Sequence, residues 1–293
     1  MFDRVIIGID EQRLGRDEIV LGQRLVRPGG ELTLAHVHGG YPIPAWGANA
    51  EFTASERERA QRLLEQARAQ AGIDARLDSI GAPSVGRALH ELAEQRGADL
   101  LVVGSTRRGL LGRVLLGDDT SAAINGAPCA VAIAPAGYAE SGPGLHEIGV
   151  AYNGSTESKQ ALSAARRLAE QHDARLSAFE AICPPPSIAG LNPVSGRAIR
   201  HAVEQARDRI EALGGIEAHA AYGDPTEELA VYSSSIGLLV IGSRDYGPLG
   251  RLVHGSTTHE LLRCARCPLL VLTRIPRAAE LHGLASGAWR ARA

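Results

Sequence analysis

Along the chain, short runs of aliphatic and β-branched residues alternate with longer stretches of helical period. The runs near 4–9, 31–37, 74–80, 99–104 and 129–134 predict strands, and the stretches near 14–26, 54–71, 84–96 and 117–126 predict helices. Strands that alternate with helices imply βαβ crossovers, and therefore a mainly parallel sheet covered on both faces.

The second half follows the same plan, and the copy is visible residue by residue. Leu100-Leu101-Val102-Val103-Gly104-Ser105 returns as Leu238-Leu239-Val240-Ile241-Gly242-Ser243. Gly109-Leu110-Leu111-Gly112-Arg113 returns as Gly247-Pro248-Leu249-Gly250-Arg251, Gly117 as Gly255, and Ala127-Pro128-Cys129 as Ala265-Arg266-Cys267. Near each start, Val5-Ile6-Ile7-Gly8-Ile9-Asp10 corresponds to Glu147 to Asn153, which sets Asp10 against Asn153. An internal repeat of this length decides the architecture: two related units in one chain.

Local signals place several boundaries. Ser55 with Glu58 reads as a capping box that opens a helix over Arg57 to Ala71, and Asp224-Pro225-Thr226-Glu227 reads as a second helix start. Tyr41 to Ala50 and Pro184 to Gly196 read as long loops, and Gly137 to Leu145 as the link between units. The units are expected over 1–137 and 144–275, followed by a flexible tail over 276–293.

Composition narrows the function. The chain has 293 residues, 44% hydrophobic and 22% charged, as globular domains have. Its 31 Lys+Arg against 33 Asp+Glu give no basic footprint for nucleic acid, so no nucleic-acid partner is expected. No apolar run is long enough for a membrane span or a secretory signal, and four cysteines form no disulfide framework. A cytoplasmic protein without a membrane partner is the expectation. Lys159 is the only lysine and reads as a solvated residue; no P-loop, kinase set or nucleophile elbow is present.

Glycine clusters fall beyond the fourth strand of each half, where open parallel sheets hold ligands. Glycine lets backbone approach a phosphate, and a helix N-terminus supplies N–H donors. Gly104 to Gly112 precedes Gly117-Asp118-Asp119-Thr120; Gly242 to Gly250 precedes Gly255-Ser256-Thr257-Thr258. No G-x-G-x-x-G follows the first strand of either half, which argues against a dinucleotide.

With these residues in place, the chain resembles the universal stress protein family in its tandem form, over roughly 3–136 and 145–275. The resemblance implies an α/β fold with two Rossmann-like (adenine nucleotide alpha hydrolase-like) domains, each with a five-stranded parallel sheet. It further implies that the final strands pair across an internal pseudo-dimer; a homodimer is compatible, and a protein partner is unnamed. Nucleotide-binding members carry G-x2-G-x9-G-[S/T] and an aspartate after the first strand. By position, the first copy supplies Asp10, Val37, Gly104, Gly117 and Asp118, with Arg107 at the second glycine. The second supplies Asn153, Ala181, Gly242, Asp245, Gly255, Ser256 and Thr257, with Asp245 at the second glycine. Asp118 puts a carboxylate where a hydroxyl is expected and Asp119 adds a neighbour, with about 1–4 kcal/mol of like-charge repulsion at 4 Å. The second copy keeps the better phosphate seat and is the favoured ATP site, with Mg²⁺ able to bridge Asp245 to a polyphosphate.

Other constellations carry less. Cys264-Ala265-Arg266-Cys267 closes a helix instead of opening one, so it reads as structural, not redox. His36 and His38 share one face of a strand but have no third metal ligand. The arginines Arg57, Arg59, Arg62 and Arg68 among Glu56, Glu58 and Glu65 read as a solvated helix with no partner role. The expectation is a non-catalytic stress-response regulator with possible binding of ATP or another adenine nucleotide. The alternatives are a nucleotide-independent scaffold with decayed sites, or a slow ATPase in which Asp245 or Asp118 positions water.

Overall fold

The computed structural model describes residues 2–11, 13–39, 48–105, 107–108, 114–115, 118–141, 144–183, 195–242, 245–246, 252–253 and 256–272. At 48–53, 107–108, 114–115, 118–120, 141, 245–246, 252–253 and 256–259 the description is of the backbone.

In the first half, the chain runs β1 (Phe2–Gly8), α1 (Arg16–Leu25), β2 (Val26–His38), α2 (Ala48–Ala71), β3 (Arg76–Gly81), α3 (Val85–Arg96) and β4 (Leu100–Gly104). A short hairpin of β5 (Arg107–Arg108) and β6 (Val114–Leu115) precedes α4 (Asp118–Ile124) and β7 (Ala130–Ala134). After α5 (Tyr138–Ser141), the second half repeats the order. It comprises β8 (Glu147–Ala151), α6 (Thr156–His172), β9 (Arg175–Ile182), α7 (Gly196–Glu211), β10 (Glu217–Tyr222), α8 (Pro225–Tyr232) and β11 (Leu238–Gly242). The hairpin β12 (Asp245–Tyr246) and β13 (Leu252–Val253), α9 (Ser256–Cys264) and β14 (Leu269–Leu272) complete it.

The long strands form one sheet in the order β10-β9-β8-β11-β14-β7-β4-β1-β2-β3. Within each half every pairing in this sheet is parallel; the halves meet where β14 runs antiparallel to β7, with Leu269 opposite Ile133 and Val271 opposite Val131. The final strands therefore pair across the halves as the resemblance implied.

Why these runs are strands is seen in their burial. Side chains alternate across a strand, so a run without polar alternation must be covered on both faces. Leu100 and Val102 join a core with Ile7, Leu21 and Leu168 under α1, α2, α6 and α7. Leu101 and Val103 join a core with Ile6, Leu89 and Leu261 under α3, α4, α8 and α9. Each core draws on both halves, so the pseudo-dimer shares its hydrophobic interior.

Local capping follows the chemistry at Asp224, whose carboxylate accepts from the Thr226 and Glu227 amides at 2.9 and 3.2 Å ahead of Pro225 at the helix start. It does not do so at Ser55. Helix α2 begins at Ala48, so Ser55 and Glu58 lie inside it and form no capping box. No glycine or proline interrupts Ala48 to Ser55, and once a helix is nucleated it propagates through such residues. The same extension makes Ala48 to Ala50 helical instead of loop, and Gly196 opens α7. The remainder of both expected loops, and the tail, lie outside the described residues.

Residues 137–139, at the start of the expected link, are anchored to α1. Asp17 on α1 accepts from the Gly137 and Ala139 amides, both at 2.7 Å, so its carboxylate caps α5. Tyr138 is buried, with its ring under the Arg24 guanidinium at 4.9 Å, and burial pushes its hydroxyl pKa up. No helix among the described residues is long and apolar enough to cross a membrane.

Candidate functional site

In the first half, β1 is flanked by β2 on one side and β4 on the other, so strand order reverses at its carboxyl end. Crevices form at such points because successive crossovers leave in opposite directions. A cavity of about 330 Å³ opens there, and Asp10, Val37 and Gly104 all line it. The structure thus brings these three expected residues together. Gly117 lies outside the described residues, and Asp118 opens α4 with only its backbone described.

Asp10 follows β1 on an exposed turn in which its Oδ1 accepts from the Arg13 amide at 2.9 Å. His36 and His38 are both buried and both line the cavity. The Ile9 carbonyl accepts from His36 Nδ1 at 2.7 Å, which fixes that nitrogen as the protonated one. His36 Nε2 faces Glu11 Oε1 at 3.9 Å, and Glu11 in turn accepts from Arg59 at 3.0 Å. Arg59 therefore ties α2 to the cavity rim, unlike Arg62, which pairs along its own helix with Glu58. Among the described residues, no group of three or more His, Cys, Asp or Glu side chains is arranged to hold a metal ion.

Glu18 is the residue that sequence reasoning missed. On α1 the positions Glu18, Leu21, Gly22 and Leu25 recur at helical spacing and all are buried. An acid in the apolar stripe was the available signal. Its carboxylate lies over Gly104, where a β-carbon would collide with it, and its Oε2 has no hydrogen-bond partner. Burial pushes the Glu18 pKa up from 4.5 to about 8, and the nearby charges of Asp10 and Asp17 push the same way.

The second half is built on the same register and filled differently. The Ile9 amide donates to the Ala35 carbonyl, and the Tyr152 amide to the Phe179 carbonyl, so Ala35 and Phe179 are equivalent. Where Ala35 lines the cavity, the Phe179 ring stacks on Tyr232 with centroids 4.9 Å apart. The Tyr232 hydroxyl lies 2.6 Å from Ser177 Oγ, and a β-carbon on Gly149 would stand 2.5 Å from that hydroxyl.

The helix starts differ as well. Helix α1 has Gly15 at its cap, in the left-handed region at φ 62°, and no side-chain cap; α6 has Ser155, which accepts from the Ser158 amide. Counting from these caps, neutral Ser158 takes the place of Glu18. Asn153 follows β8 and accepts from the Ser155 amide at 3.1 Å. Gly242 ends β11 so close to α6 that a β-carbon would strike the Glu157 carbonyl. Ala181 lies on β9, Asp245 on β12, and Ser256 and Thr257 open α9; the side chains of the last three are not among those described, and Gly255 lies outside the described residues.

Two other sequence motifs resolve simply. Lys159 is exposed on α6. Cys264 ends α9 and donates to the Glu260 carbonyl, while burial pushes the Cys267 thiol up to about 12, the opposite of a reactive thiolate.

Residues 1–135 and 144–273 each match the sequence profile of the universal stress protein family. A Thermus aquaticus universal stress protein, in the 3′ region of a QAH/OAS sulfhydrylase, is 33% identical over 133 residues, 42% of this chain and 95% of its own length. The Bacillus subtilis universal stress protein YxiE is 28% identical over 145 residues, again 42% of this chain and 95% of its own. Among solved structures, a universal stress protein from Archaeoglobus fulgidus shares the fold with a TM-score of 0.68 at 17% identity, over 93% of this chain and 99% of that one.

Proposed function

Because the chain belongs to the universal stress protein family, we propose that it is a non-catalytic regulator of the stress response, acting in the cytoplasm, whose second half takes an adenine nucleotide such as ATP with Mg²⁺. The observation that carries this reading is that no carboxylate is buried at the start of α6, at the second switch point, where Glu157 is the acid of the first turn and is only half-buried. Ser155 and Ser158 stand where the first half has Gly15 and Glu18, so a polyphosphate meets no buried carboxylate there. Asn153 offers both a donor and an acceptor to a ribose or base, and Ser256 opens α9 with the free amides of a helix N-terminus. Asp245 is the natural seat for Mg²⁺, a hard cation that favours oxygen ligands. No residue is assigned as nucleophile or general base.

Equilibrium dialysis with labelled ATP and Mg²⁺ tests the reading. Saturable uptake that is weakened about tenfold or more by Ser256→Asp, without steady phosphate release, is expected. Absence of saturable uptake overturns it, and phosphate release lost in Asp245→Ala would replace it with slow hydrolysis.

The Phe179–Tyr232 stack favours a second reading, a nucleotide-independent scaffold, because a bulky stacked ring stands at the position where the first half has the cavity-lining Ala35. A protein partner retained equally with and without nucleotide would support it.

A further inference from the structure

We propose that the first-half cavity binds a small organic cation, a protonated primary amine on an apolar body. The proposal is independent of nucleotide binding in the second half.

The lining sets the charge of the ligand. Asp10, Glu11, Glu18 and Glu56 face the cavity with His36 and His38, and among the described residues no arginine or lysine lines it. A phosphate or carboxylate ligand would meet like charge in a partly desolvated space, where repulsion is strongest. Bare metal ions are poorly served, since no ready-made group of three ligands is present among the described residues. The walls between the polar groups are apolar, from Ile9, Val37, Val85, Leu89 and Val103, and they suit a hydrocarbon body.

Two buried atoms set the donor pattern. Glu18 is 6% exposed and His38 8% exposed, and Glu18 Oε2 and His38 Nδ1 both lack hydrogen-bond partners. Unpaired buried polar atoms are rare in native proteins and call for a partner. An ammonium group carries three N–H donors, and Glu18 Oε2 is an unpartnered acceptor for one of them. Ionised Glu18 binds it through a charge-assisted bond. Because burial holds the Glu18 pKa near 8, with Asp10 and Asp17 raising it and Arg13 lowering it, binding at neutral pH releases a proton. His36, with its Nδ1 committed to the Ile9 carbonyl, and Glu11, paired with Arg59, form the fixed rim.

The test is calorimetric titration of the full chain with three ligands of similar shape: phenethylamine, phenethyl alcohol and phenylacetate. Saturable binding of the amine is expected, about tenfold or more tighter than the alcohol, with none for phenylacetate. Repeating the amine titration at pH 7 in buffers of different ionisation enthalpy should report net proton release. The near-isosteric Glu18→Gln should lose the preference for amine over alcohol, and Ala35→Phe, which copies the second half, should lose both ligands. No saturable binding of phenethylamine, equal binding of the alcohol, or unchanged amine binding in Glu18→Gln overturns the proposal.

Discussion

The Glu18 carboxylate occupies the open face of Gly104, in the space a β-carbon would take. Helix α1 can approach β4 with an acid in its buried stripe only because this glycine has no side chain. Gly104→Ala is therefore expected to destabilise the protein by about 1–3 kcal/mol, the usual cost of overpacking. Urea denaturation of Gly104→Ala, Glu18→Ala and the double variant measures it. The two substitutions should be coupled by more than about 0.5 kcal/mol, since removing the carboxylate makes room for the methyl group. Additive effects would show that the contact does not govern packing.

The same carboxyl makes stability depend on pH in a stated direction. Its pKa is 4.5 unfolded and about 8 folded. Below 4.5 both states hold the proton and there is no penalty. Between 4.5 and 8 the unfolded state releases it while the folded state keeps it, so stability falls as pH rises through this window. Above 8 the penalty is complete, amounting to a few kcal/mol at about 1.4 kcal/mol per pKa unit. Glu18→Gln should flatten this part of the curve and be more stable than the parent at pH 9, as read from urea midpoints. An unchanged slope would place the titration elsewhere.

Asp17, one residue earlier, has the opposite role. It is buried but fully engaged, accepting from the Gly137 and Ala139 amides and lying 3.4 Å from Arg13. Asp17→Ala removes the charged acceptor of two amides and should cost about 2–3 kcal/mol, the range for hydrogen bonds to a charged group. Hydrogen exchange at Gly137 and Ala139 should quicken more than at Leu101. Uniform quickening across the sheet would indicate global destabilisation without a local anchoring role.

The order of elements and the two-copy plan follow from the sequence by itself. Runs such as Leu100 to Val103 and Leu238 to Ile241 must be covered on both faces, and the periodicity that says so is local to a few residues. Asp10, Val37 and Gly104 are placed together by the resemblance to the universal stress protein family, and all three line one cavity. The start of α2 could not be read, since Ser55 and Glu58 have the same spacing inside a helix as at its cap. Tertiary structure alone decided that Ala35 lines a cavity while Phe179 at the equivalent position stacks on Tyr232, and that Asp17 is fully engaged while one oxygen of Glu18 has no partner. Adjacent acids on one helix look alike in sequence. What separates them is desolvation and the nearness of Gly137 and Gly104, residues far along the chain, and those exist only once the sheet has closed around them.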